Sequence, residues 1–297
     1  MRREEIRVRD PYILVHEERY YLYGTRSETC WGPADGFDCY ISADLEQWEG
    51  PVEIFHRPEG FWADQCYWAP ECYAWKGRFC LVTTLAGGRV KKGVHTLWAD
   101  RPEGPFTYGA RLTPEGWTCI DGTLYLEGTA PWLIFSHSFE DAGCRDMCAL
   151  RLKDDLSGPA GDPVPIFQVS EAPWCVPVPF AKEEFGMDGE IYFSDGPCAV
   201  KLGGGALSLL WSGWGAQGYC VGQAISESGA VTGPWRQLAQ PLFPRDGGHG
   251  MLFTALDGRR YYVLHAPNTK GEERPVLFEV EERDGVLALR PDGRDRT

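Results

Sequence analysis

No stretch of the 297-residue sequence approaches the roughly 18 consecutive apolar residues that a membrane span requires. Asparagine occurs once, at Asn268, where Thr-Lys follows and no glycosylation sequon forms. Basic residues are few, 29 against 43 acidic ones, for a net charge of −14. An acidic surface repels phosphate backbones and anionic lipid, so nucleic acid and membrane are excluded as expected partners. Small neutral molecules, including sugars, remain. The 11 cysteines form no CxxC pair. Cys66/Cys72 and Cys144/Cys148 stand closest, without the short knuckle of a zinc site, and read as small buried hydrophobes. The first ten residues, MRREEIRVRD, contain no apolar segment of the secretory kind. The expectation is therefore a cytoplasmic chain with free thiols. No GxxxxGK[ST], GxSxG or HExxH motif occurs.

What is abundant is turn-forming residue and aromatic surface. There are 36 glycines and 22 prolines, about a fifth of the chain, with 12 Trp, 13 Tyr and 14 Phe. So many breakers disfavour long helices and favour short strands. A repeat organises them. Five segments run from a turn or polar group into a short apolar strand: Asp10-Pro-Tyr-Ile-Leu, Trp68-Ala-Pro-Glu-Cys-Tyr, Asp121-Gly-Thr-Leu-Tyr, Asp195-Gly-Pro-Cys-Ala-Val and His249-Gly-Met-Leu-Phe. They recur about every 55 residues, with one longer gap that holds a Pro-rich insertion, SEAPWCVPVPFAKEEFG. A second strand follows each, beginning near Arg19, Gly77, Trp132, Ala206 and Arg259. A third begins near Phe37, Gly93, Met147, Tyr219 and Pro275, alternating as half-buried antiparallel strands do. A β-sandwich has no reason to repeat three strands at matched offsets. The pattern predicts an all-β fold, a single five-bladed β-propeller over residues 1–297, with no helix beyond a turn near 181–185.

In a propeller the first strand of each blade lines the central channel, so residues at matching ends converge. Asp10, Trp68 or Glu71, Asp121, Asp195 and His249 are thereby brought to one mouth. Three carboxylates in one cleft push their pKa values apart, leaving one protonated and another ionised. A protonated acid facing an ionised base is what glycoside hydrolysis requires.

These residues carry a resemblance. RDPYI at 9–13, GFD at 36–38, DLEQW at 44–48, WAPE at 68–71, IDGTLY at 120–125, SEAPW at 170–174, SDGP at 194–197 and GGHGM at 247–251 resemble, in order and spacing, glycoside hydrolase family 43. Those are five-bladed propeller enzymes that cleave arabinosyl, xylosyl and related linkages. The resemblance implies that Asp10 is the general base and that Asp121 orients the acid and tunes it. The family's acid is usually Glu in Glu-Gly-Pro; Asp195-Gly-Pro stands here. Its carboxyl falls about 1.3 Å short if the backbone does not move. Either Asp195 serves on a shifted backbone, or Glu171 of the insertion reaches in, or the protein is a sugar-binding propeller with an altered acid. His249 resembles the family's axial histidine, which contacts a metal ion or water, so a calcium or other cation there is one reading and a hydrogen-bonded channel histidine the other. No cofactor is required by the chemistry. Trp68 resembles a wall of the sugar subsite, against plain blade packing. Glu71 is assigned to a sugar hydroxyl or to a neighbouring blade, and Trp31 and Phe37 are expected to border the pocket. The expected partner is a short carbohydrate, cleaved with inversion.

Overall fold

A computed structural model describes residues 1–141 and 146–291. Its strands fall, in chain order, into five four-stranded antiparallel sheets. The first holds β1 (Val8–His16), β2 (Arg19–Arg26), β3 (Gly36–Ser42) and β4 (Trp48–His56). The second holds β5 (Gln65–Trp75), β6 (Arg78–Gly87), β7 (Val90–Ala99) and β8 (Thr107–Arg111). The third holds β9 (Cys119–Glu127), β10 (Ala130–His137), β11 (Asp146–Arg151) and β12 (Val164–Gln168). The fourth holds β13 (Ser194–Lys201), β14 (Leu207–Gly215), β15 (Gly218–Ser226) and β16 (Trp235–Gln237). The fifth holds β17 (Gly248–Thr254), β18 (Arg260–Ala266), β19 (Arg274–Arg283) and β20 (Val286–Pro291). The inner strands β1, β5, β9, β13 and β17 neighbour one another in turn, and β17 returns to β1. This is the five-bladed propeller that the repeat predicts. Between β12 and β13 the insertion carries one short helix, α1 (Ala181–Phe185), ended by left-handed Gly186. No helix among the described residues is long and apolar enough to cross a membrane.

Every inner strand carries a bulge at the same place. Two residues face one on the second strand: Asp10-Pro11, Ala69-Pro70, Asp121-Gly122, Gly196-Pro197 and His249-Gly250. The first residue of each pair is left-handed, with φ of 53°, 47°, 57°, 51° and 45°. Asp, His and Gly tolerate that conformation better than most residues, and bulges commonly re-aim a side chain. The bulge is what turns the heads of these strands toward the axis.

A second repeat fastens the blades. The residue paired with the pre-bulge position is Thr25, Thr84, Ser136, Ser212 or His265. Each reaches the next inner strand. The Ala69 N–H donates to Thr25 Oγ1 (2.8 Å), Asp121 N–H to Thr84 Oγ1 (2.9 Å) and His249 N–H to Ser212 Oγ (2.8 Å). Ser136 instead meets the Ser194 hydroxyl at 2.8 Å. At the closing seam, Asp10 N–H donates to His265 Nδ1 at 3.1 Å. No strand is shared between the first and last blades, so this seam is held by side chains. Arg9 pairs with Glu273 at 2.8 Å, and Leu256 N–H donates to Tyr20 Oη at 2.9 Å.

Apolar surface is buried within and between blades. Phe37, expected to border the pocket, is fully buried there. A register shift between Phe37 and Asp38 turns it inward, against Phe55 and against Tyr67 of the second blade, with ring centroids 6.4 and 5.2 Å away. It is a packing residue, and Phe37→Ala is expected to cost about 3–5 kcal/mol of stability. A urea midpoint that does not fall would contradict this placement.

Candidate active site

The bulges bring Asp10, Asp121, Asp195 and His249 together although each comes from a different blade. His249 Nδ1 lies 3.3 Å from Asp10 Oδ1, 3.7 Å from Asp121 Oδ2 and 3.9 Å from Asp195 Oδ1. Asp10 and Asp121 occupy the left-handed position itself, whereas Asp195 is the residue before it. Their side chains are accordingly 9% and 6% exposed against 17% for Asp195, which faces solvent most. Gly196 explains how a shorter acid reaches the cluster. A Cβ there would lie 2.7 Å from His249 Cα, so only glycine lets the head of β13 press against the histidine.

The carboxylates are not equivalent. Burial opposes charge on Asp10, but His249, Arg9 and the Thr25 hydroxyl, which donates to Oδ2 at 2.5 Å, hold its carboxyl below the ordinary range. Asp121 is pushed up by burial and by the nearby Asp195 and Asp10. Asp195 is likewise raised, by burial first and then by Asp10, against the opposing pull of His249 and a hydrogen bond from Tyr219. His249 is raised despite its burial because the three aspartates favour its cation. His265 is pushed down to about 3, chiefly by burial and then by Arg9. That keeps it neutral, as its acceptance of the Asp10 N–H demands.

Glu71 follows the second bulge and lies near Thr123, two residues beyond Asp121. It is 7% exposed and accepts a hydrogen bond from Tyr73 Oη, which also contacts Thr123 Oγ1 at 3.1 Å. Of its two expected readings, the contact with a neighbouring blade is the one seen here, through Tyr73 to Thr123 of the third blade. Trp68 donates Nε1–H to the Cys30 carbonyl at 2.7 Å. The Trp31 ring, 58% exposed, meets Trp68 edge-on with centroids 5.6 Å apart. Arg9 lies over Trp31 at 5.6 Å and Lys92 over Trp68 at 5.0 Å. These two indoles make an aromatic wall with cationic groups against it, a surface suited to a sugar's C–H face. Glu171 does not join the axial group. It ends the three-residue turn Val169–Glu171 after the outer strand of blade 3, exposed, and among the described residues hydrogen-bonds none of the axial groups.

Asp121, Asp195 and His249 offer ligand atoms within 4.8 Å of one another, so these three could hold a cation. The nitrogen already serves three carboxylates, and a proton on it and a metal ion compete for the same place. Nine described cysteines, all but Cys148, are free thiols; Cys144 lies outside the described residues. Sequence reasoning missed Thr25, Tyr219 and His265. The available signal was a Ser, Thr or His near the end of every second strand.

A buried glutamate, an aspartate held charged and a raised partner across one channel are features of a carboxyl-dependent hydrolase. The comparisons agree. The profile of Glycosyl hydrolases family 43 matches residues 5–285. A solved endo-arabinase of Bacteroides thetaiotaomicron is 36% identical, with a TM-score of 0.87 over 96% of this chain and 98% of that one. An endo-1,4-beta-xylanase of the same organism is 24% identical (TM-score 0.71, 96% and 94% covered). An alpha-L-arabinofuranosidase of Lactobacillus brevis is 16% identical (TM-score 0.74, 98% and 96% covered). The last two show the fold alone. No curated protein matches. The chain belongs to glycosyl hydrolase family 43 and is a glycosidase.

The channel glutamate supplies a test of these electrostatics. Burial raises Glu71 from 4.5 to about 7. A carboxyl raised in the fold stabilises below its unfolded pKa, and that contribution is lost as pH rises through the folded value. Unfolding free energy is therefore expected to decline between about pH 4.5 and about 7, by on the order of 3 kcal/mol. Glu71→Gln is expected to flatten this decline in denaturant titrations. An unchanged slope would refute it.

Proposed function

We propose that the protein hydrolyses arabinosyl, xylosyl or related linkages of short saccharides, with Asp195 as general acid, Asp10 as general base and Asp121 tuning the acid. One observation carries this reading: Asp10 and Asp195 face the same His249 nitrogen from different blades, yet one is held charged and the other is raised. That is the division of labour between base and acid. Asp195 gives its proton to the glycosidic oxygen as the C1–O bond breaks, and the bonding pair leaves with the alcohol. Water adds to C1 and yields its proton to Asp10, so the anomeric centre inverts. The 36% identity to an endo-arabinase makes arabinosyl linkages the first to try.

Where a cation such as calcium binds, Asp121, Asp195 and His249 would hold it, two oxygens and one nitrogen. Its positive charge would hold Asp195 ionised, so the acid role of Asp195 belongs to the site without a cation. Calcium takes six to eight oxygen ligands, so water or substrate would complete its shell.

The test is a screen of aryl arabinofuranosides, xylosides and galactosides, with product stereochemistry read by proton NMR. Inversion is expected, and retention overturns the mechanism. Asp10→Asn is expected to lower kcat by about 10²–10⁴-fold with the fold intact, because an amide cannot take the proton. Near-full activity would remove Asp10 from the role of base.

We also propose that the protein works in the cytoplasm. The free thiols among the described cysteines support a reducing compartment. Full activity and an unchanged melting transition in strong reductant are expected; loss of folding there would count against it.

A further inference from the structure

Asp195 stands where a longer acid is usual, so something besides reach must aim its carboxyl. Tyr219, at the start of β15, does so. Its hydroxyl donates to Asp195 Oδ1 at 2.5 Å, a short hydrogen bond. The phenol is 2% exposed and cannot touch substrate. Its ring stacks with Phe193 (centroids 6.1 Å apart, planes 14° apart) and with His265 (5.5 Å, 19°). Gly248 leaves the space it needs, since a Cβ there would sit 2.6 Å from Tyr219 Cε1. Gly247 N–H donates to the Tyr219 carbonyl at 3.2 Å. The ring is therefore locked between the fourth and fifth blades.

The two oxygens of Asp195 have different surroundings. Oδ1 receives the Tyr219 hydroxyl and is the oxygen nearest to His249 Nδ1. Oδ2 accepts no hydrogen bond among the described residues. In a carboxylic acid the oxygen that accepts an O–H donor stays carbonyl-like, and the proton sits on the other. We infer that Tyr219 is a positioning residue that directs the transferable proton of Asp195 onto Oδ2, the oxygen open to the glycosidic bond. This rests on Asp195 being the acid. As the proton leaves Oδ2 for the glycosidic oxygen, negative charge spreads to Oδ1, where a donor is already in place. The conjugate base is stabilised without reorganisation. The same ring packs on His265, which accepts the Asp10 N–H, so one stack holds acid and base in register.

Tyr219→Phe keeps the ring and its stacking and removes only the hydroxyl. The probes are methyl and 4-nitrophenyl α-L-arabinofuranoside. The alkyl glycoside, whose leaving group needs protonation, is expected to lose ~10–100-fold in kcat/KM, the value of one hydrogen bond to a charged group. The aryl glycoside is expected to lose less than about threefold, because nitrophenolate leaves with little help. Equal losses on both, as from general misfolding, or no loss on the alkyl substrate, overturn the inference. A second measurement does not depend on turnover. The wild type is expected to show a low-field proton resonance from the Tyr219–Asp195 hydrogen bond that vanishes in Tyr219→Phe and in Asp195→Ala. Its absence from the wild type overturns the inference directly. A wild type that cleaves neither glycoside overturns the hydrolase roles instead, and the resonance then still decides whether Tyr219 holds Asp195.

Discussion

The interaction on which this molecule depends is a hydrogen bond between neighbouring blades. A bulge near the head of an inner strand leaves a backbone N–H without a ladder partner, and a buried N–H cannot be left unpaired. In three blades a Thr or Ser hydroxyl on the preceding blade's second strand accepts it. At the third-to-fourth junction the pair is hydroxyl to hydroxyl, and at the closing seam the acceptor is an imidazole. The requirement is architectural, but it has a chemical result. The residue whose N–H is caught at the left-handed position is also the one whose side chain faces the axis, so Asp10, Asp121 and His249 are set by the same bonds that join the blades.

Bringing three aspartates to one channel is unfavourable by itself. It is tolerated because His249 stands among them with its cation favoured, and because Arg9, held by Glu273, adds charge on the side of Asp10. The asymmetry of these partners separates the aspartates. Asp10 has the arginine and a threonine hydroxyl. Asp121 has burial and like-charged neighbours. The surrounding protein therefore distinguishes three side chains of identical chemistry.

The blade repeat was legible because strand heads carry residues with strong local preferences: Asp-Pro, Asp-Gly, Ala-Pro, Gly-Pro and His-Gly each suit a left-handed bulge. The axial acids were legible for the same reason. What could not be read was the direction of side chains beside irregularities. Phe37 looked like a pocket residue because the shift at Asp38 breaks the period of two on which facing is judged. Glu171 looked able to reach the mouth because the path of a Pro-rich insertion is not set by strand periodicity; it stands exposed, with no hydrogen bond to the axial groups among the described residues. Tyr219 and His265 read as ordinary strand residues. Tyr219 meets Asp195 within the fourth blade, between two strands that do not pair and 24 residues along the chain, and His265 meets Asp10 across the closing seam, 255 residues apart.

The closing seam has a consequence for durability. Covalent continuity joins the first four blade junctions, whereas the fifth is joined by Arg9–Glu273, the Asp10–His265 bond and the Tyr20 hydroxyl. The partner of the proposed base is thus also a rivet of the ring. Opening of that seam removes the backbone anchor of the proposed base as the ring parts, so catalysis does not outlast the junction that closes the ring.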